Sequence, residues 1–168
     1  LSGNLSGSYN SAVLGKNLYH EEYGNKKIHV FDSCSASVGE TLIALKIEEC
    51  EKAGMSFEET VEAVTAYRDA QNTYFVLETL EVLRKNGRLS NLKAFVANAL
   101  NIKPYMGATP DGQIIQLGQT RGINRAVMKM IDTLVEEVKN PGEKIAAISH
   151  CNCPARAEMA KNEILKRI

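Results

Sequence analysis

Residues 102–117, IKPYMGATPDGQIIQL, constrain the fold most, because two extended apolar runs meet across Pro110, Asp111 and Gly112. Proline presets φ at the start of a turn and glycine accepts the positive φ that closes it, so the segment predicts a β-hairpin. A lone hairpin is marginal in water and needs packing partners. Helical segments flank it. From Gly122 onward Ile123, Val127, Met130, Ile131, Leu134 and Val138 recur at three- and four-residue steps, which predicts a long helix stopping at Asn140, Pro141 and Gly142.

The first half of the chain has a different rhythm. The opening LSGNLSGSYNSA crowds Ser2, Ser6, Ser8 and Ser11 around Gly3 and Gly7, with Ser8 placed to cap a short helix. KIHVFDS reads as a buried strand on Ile28, Val30 and Phe31. Ser37 to Glu40 and Ser56 to Glu59 each fit the S-x-x-E capping box. The first opens a helix bearing Ile43, Ile47 and Cys50 that closes at Gly54; the second opens one bearing Phe57, Val61 and Val64. YFVLETL is a further strand, leading to a short helix over Leu80 and Leu83 that stops at Asn86 and Gly87. Ser90 caps NLKAFVANAL, KIAAISH is a last strand, and Pro154 opens the final helix through Ile164. The class is α/β: a parallel α/β unit followed by a mixed α/β sandwich with an antiparallel hairpin. A boundary near residues 68–74 divides the chain into 1–70 and 71–168.

Composition excludes several functions. Lys plus Arg, 20, equals Asp plus Glu, 20, so no strongly basic face is expected for nucleic acid or an anionic membrane. No apolar run approaches the ~20 residues that span a bilayer, and the start lacks the pattern of a secretory leader. The expectation is a cytoplasmic protein. Its cysteines, Cys34, Cys50, Cys151 and Cys153, are expected to be reduced. Because the chain enters directly at a serine-rich turn, it reads as an internal piece of a longer protein.

Candidate chemistry is sparse. No G-x-x-x-x-G-K-[ST] loop is present, since Gly15 and Lys16 lack the glycine-rich turn before them. His150, Cys151 and Cys153 are zinc-type ligands without the usual spacing or a second pair, so no metal is expected. Asp32, Ser33 and His150 are the residue types of a hydrolase or transferase triad, but no G-x-S-x-G elbow exposes the serine. The Ser6–Gly7–Ser8 turn is either a plain helix start or a carboxylate or phosphate site, because amide N–H groups and hydroxyls converge at the positive end of the helix dipole.

LSGNLSGSYNSA, then VFDS, LEVLRKNGRLS, NIKPYM, a DGQI turn and QTRGINRAV follow one another in the order and approximate spacing of the DegV-like fatty-acid-binding proteins, which this chain resembles along its whole length. The resemblance implies a two-domain α/β carrier that holds one long-chain fatty acid in an apolar tunnel and presents its carboxylate to a fatty acid kinase, supplying no catalyst and needing no cofactor. It implies that Ser6, Gly7 and Ser8 bind the carboxylate, Ser8 standing where the family usually has threonine. Arg88 and Arg121 match the family's basic residues near the carboxylate mouth and kinase-facing surface. Phe95, Ile102, Met106, Ile114 and Leu117 are candidates for the tunnel lining or for ordinary core. The family's T-S-Q-P-S segment and its terminal H-T-G-P-G motif would fall before Leu1 and beyond Ile168, as in the middle of a carrier of ~280 residues. His150 does not match that terminal histidine.

Overall fold

A computed structural model describes residues 1–88 and 101–168. They divide into two compact units, Leu1–Asn72 with Thr109–Gln113, and Thr73–Ala108 with Ile114–Ile168.

The first unit carries three helices, α1 (Ser8–Tyr23), α2 (Val38–Lys52) and α3 (Phe57–Asp69). Its core forms where α2 meets α3: Ile43 and Cys50, seven residues apart on one helical face, bury against Val64, with Ile47, Ala63 and Phe31 packed around them. The capping box expected at α3 is present. The Ser56 hydroxyl accepts the Glu59 N–H at 3.3 Å and the Glu59 carboxylate accepts the Ser56 N–H at 2.8 Å. The matching box at α2 does not form, because Ser37 stands at φ 57 and its side chain makes no capping bond. Gly54, at φ 72, takes the left-handed position after α2. Gly7, rather than Ser8, is the N-cap of α1, and Ser8 is its first helical residue. The strand expected over Ile28, Val30 and Phe31 does not form: the segment makes no ladder among the described residues. β-Branched composition signals an extended backbone, but a strand also needs a partner in register.

The second unit contains β1 (Tyr74–Val76), α4 (Glu81–Lys85), β2 (Ile102–Ala108), β3 (Ile114–Arg121), α5 (Ile123–Glu137) and α6 (Pro154–Arg167). The hairpin forms as the sequence predicts and, with β1, makes an antiparallel sheet in the order β1-β2-β3. Pro104, which has no N–H to give, lies outside the three residues, Tyr105 to Gly107, that β1 pairs with. A bulge at Tyr105/Met106 leaves Leu117 as the extra residue on β3. Val127 and Ile131 of α5 bury against Ala160 and Ile164 of α6, with Val76 of the sheet packed on the same cluster. Pro154 opens α6 at its first turn, where a missing N–H costs nothing. The long helix ends at Glu137, earlier than the Asn140 stop expected, because Val138 turns to an extended conformation with ψ 127. Residues 145–149, the strand expected in KIAAISH, also make no ladder among the described residues. The cap at Ser90 and the helix over NLKAFVANAL lie outside the described residues.

Candidate functional site

The serine-rich turn is built from two layers. In the outer layer the Ser6 and Ser8 hydroxyls share a hydrogen bond of 2.8 Å, and Ser6 Oγ also accepts the Ser8 N–H at 3.2 Å. This hydroxyl pair sits on the first turn of α1, which carries no acidic side chain to neutralise the positive end of the helix dipole. Ser6 is half-buried, Gly7 and Ser8 are exposed, and a side chain at Gly7 would meet no atom within 4 Å. The space a side chain would take at Gly7 is open, next to the two hydroxyls, of whose two protons the mutual bond uses one.

The inner layer fixes the outer one. Ser2 is buried; its N–H donates to Ser35 O at 2.8 Å, its hydroxyl donates to Gly112 O at 2.9 Å, and its oxygen accepts the Asn4 N–H at 3.2 Å. Both Asp32 carboxylate oxygens receive the Gly3 N–H, at 3.0 and 3.2 Å, and Oδ1 also receives the Cys34 N–H at 3.0 Å. Ser6 N donates to Ser2 O at 3.0 Å, linking the layers. Sequence reasoning missed Asp32 in this clamping role. An aspartate followed two residues later by its own N–H partner is a local signal for such a turn, but the Gly3 contact is not local. Ser33 donates its hydroxyl to Ser35 O at 3.0 Å and is buried, so Asp32 and Ser33 are committed to backbone groups. The arrangement holds a loop and presents no activated nucleophile. Cys34, at φ 48 in the same loop, has its thiol pushed up by burial and by the Asp32 carboxylate.

In the second unit, strand parity sorts the tunnel candidates. Tyr74 bonds Glu137 of α5 at 2.5 Å and Val76 packs on the helical core, so these two mark the sheet face toward the helices. Burial and Glu137 together push the Tyr74 phenol well above its usual pKa. Phe75 points the other way, with its register partner Met106. Alternation along β2 and pairing across to β3 put Ile102, Met106 and Ile114 on that same face, together with Arg121, the partner of Ile102. Met106 is fully buried there, and Ile102 and Ile114 are half-buried. Leu117 departs from the group: at the bulge it reaches over Gly107, whose added Cβ would lie 3.0 Å from Leu117 Cδ1. Phe75 was missed as a candidate, although alternation within YFV places it opposite Val76. Phe95 lies outside the described residues.

Arg121 ends β3 and is exposed, and Arg88, also exposed, donates to Asn86 O in the turn after α4. His150 Nδ1 accepts the Cys153 N–H at 3.3 Å in the turn before α6. Among the described residues no group of three His, Cys, Asp or Glu side chains is placed to hold a metal ion. No described helix is long and apolar enough to cross a membrane.

Comparison with known proteins identifies the family. A DegV domain-containing protein of Streptococcus pneumoniae is 43% identical over 136 residues, covering 81% of this chain and 48% of its own. The chain spans about half the length of the curated relatives it matches. A crystal structure of a DegV family protein from Ruminococcus gnavus with vaccenic acid is 60% identical and superposes with a TM-score of 0.95, covering all of this chain and 60% of that one. The S. pneumoniae Fatty Acid Kinase (Fak) B3 protein loaded with linoleic acid is 36% identical with a TM-score of 0.84, covering 99% of this chain and 58% of that one. The family model for uncharacterised proteins of the DegV type matches residues 1–168 from end to end, and the chain belongs to the DegV family.

Proposed function

We propose that this protein binds one long-chain fatty acid, holds its carboxylate at Ser6, Gly7 and Ser8, and presents it to a fatty acid kinase. The observation that carries the reading is the 60% identical R. gnavus structure with vaccenic acid, which matches this chain along its whole length, over 60% of that protein. The carboxylate contact rests on the Ser6–Ser8 hydroxyl pair over the uncompensated N-terminus of α1. Ile102, Met106 and Ile114, joined by Phe75, line the acyl chain along one sheet face, and Leu117 serves the core on the other. Burying the chain of a sixteen-carbon acid, about fifteen carbons beyond the carboxyl at about 0.8 kcal/mol each, makes ~12 kcal/mol available before ordering costs, so few polar contacts are needed. The carrier acts in the cytoplasm, uses no cofactor and does no chemistry on the lipid; the kinase phosphorylates the carboxylate. The kinase association is supported by likeness to the Fak B3 protein.

Arg88 and Arg121 stand at the mouth or on the kinase-facing surface, where cations offset the approach of ATP phosphates to a carboxylate. Native mass spectrometry of the protein purified from a bacterial host is expected to show one added mass in the fatty-acid range, released by solvent extraction. A spectrum of bare protein only, unchanged after incubation with vaccenate or palmitate, overturns the carrier reading. With kinase and ATP, Arg88→Ala and Arg121→Ala are expected to retain lipid at normal stoichiometry while forming acyl phosphate more slowly. Wild-type rates for both across a range of kinase concentrations would remove these residues from the docking face.

A further inference from the structure

The turn His150-Cys151-Asn152-Cys153 lies outside the residues proposed to bind the lipid, and it sets two cysteines two positions apart. Both cysteines are free; Cys151 is exposed and Cys153 half-buried at the N-cap of α6. Asn152 between them stands at φ 50. Among non-glycine residues asparagine enters positive φ more readily than most, chiefly in the left-handed helical region. With consecutive α-carbons about 3.8 Å apart, a helical bend of either hand brings the flanking α-carbons to roughly 5.5 Å, against about 6.5–7 Å in extended chain. The usual range across a disulfide is about 4.4–6.8 Å, centred near this separation. The turn is also held from outside the pair, by the Cys153 N–H on His150 Nδ1 at 3.3 Å and by Pro154 at the first turn of α6. The other two cysteines differ: Cys50 is buried in the α2–α3 core, and Cys34 is a partly buried thiol facing the Asp32 carboxylate.

We propose that Cys151 and Cys153 form a surface dithiol that closes to an intramolecular disulfide by exchange with a small-molecule disulfide of the glutathione class. The exposed Cys151 thiolate attacks one sulfur of the small disulfide, forming a mixed disulfide and releasing one small thiolate. The Cys153 thiolate then attacks the Cys151 sulfur, forming the Cys151–Cys153 bond, breaking the mixed one and releasing the second small thiolate. The two cysteine protons end on the released thiolates. The pair gives up two electrons and the small disulfide takes them.

The test equilibrates reduced protein in buffers of graded glutathione disulfide-to-thiol ratio, quenches with an alkylating agent and maps peptides by mass. Wild type is expected to lose two hydrogens on the peptide holding both cysteines and to keep no glutathione there, while Cys34 and Cys50 remain alkylatable after unfolding. Cys153→Ser is expected to trap glutathione on Cys151, and to a greater extent than Cys151→Ser traps it on Cys153. Asn152→Val, which disfavours the left-handed conformation, is expected to lower the exchange equilibrium constant about tenfold, whereas Asn152→Gly leaves it within about twofold. Circular dichroism confirms that each variant is folded, and the serine variants decide the question should the valine variant fail to fold. Free thiols at 151 and 153 throughout the series, a glutathione adduct persisting on wild type, or an Asn152→Val constant equal to wild type each overturns the proposal.

Discussion

Ser2 in the first unit and Ile131 in the second are both completely buried, but they are held in opposite ways. Ser2 hydrogen-bonds backbone groups of Asn4, Leu5, Ser6, Ser35 and Gly112, and the neighbouring Asp32 carboxylate likewise collects the N–H groups of Gly3 and Cys34. Ile131 sits in a cluster of apolar side chains from α5, α6 and their surroundings. Packing is tolerant in shape but proportional to the atoms it buries, whereas hydrogen bonds to backbone are worth little on average and much when a buried group loses its partner. The first arrangement therefore fixes a conformation, and the second supplies stability. A turn that must keep two hydroxyls aligned over a helix N-terminus needs the former.

The contrast can be broken by substitution. Ile131→Ala removes a fully buried branched side chain from close packing and is expected to cost about 3–4 kcal/mol in chemical denaturation. A loss below about 1 kcal/mol would show that this cluster is not the main support of the second unit. Gly112→Ala is expected to cost about 2–3 kcal/mol, because φ is 80 and the new Cβ would fall 2.3 Å from Ser2 Oγ and 2.7 Å from Cys34 Cα. It is also expected to weaken amide protection at Gly3 and Asn4 in hydrogen exchange while leaving α5 protected, a pattern that Ile131→Ala should not produce. Equal protection in the two variants would dissolve the distinction between the regions. Smallest is Ser56→Ala, which removes one arm of the α3 capping box and is expected to cost about 1 kcal/mol.

These same residues show what a sequence makes legible. Ser56 and Glu59 reach each other across three residues of one helix start, so their motif suffices to find them. Ser37 and Glu40 have the same spacing and fail, because the backbone at Ser37 is set at φ 57 within the loop that also carries Ser33, Cys34 and Ser35. The hairpin and the buried faces of α2 and α5 were legible because periodicity records which side is apolar. KIHVFDS and KIAAISH have strand composition yet form no ladder among the described residues, since pairing is decided by another segment. The Ser2 bond to Gly112 spans 110 positions and leaves no trace in either local pattern. At the candidate site, likeness to a family marked Ser6, but only the structure set its hydroxyl 2.8 Å from that of Ser8 and separated Leu117 from Ile102, Met106 and Ile114.

The central claim is that the Ser6 turn holds a fatty-acid carboxylate, and calorimetric titration of delipidated wild type and Ser6→Ala with vaccenate tests it most directly. The account predicts one site on both proteins and an affinity lower by about 1.5–3 kcal/mol in the variant, the range for a lost hydrogen bond to a charged group, with an unchanged melting temperature. Equal affinities for wild type and Ser6→Ala would contradict it.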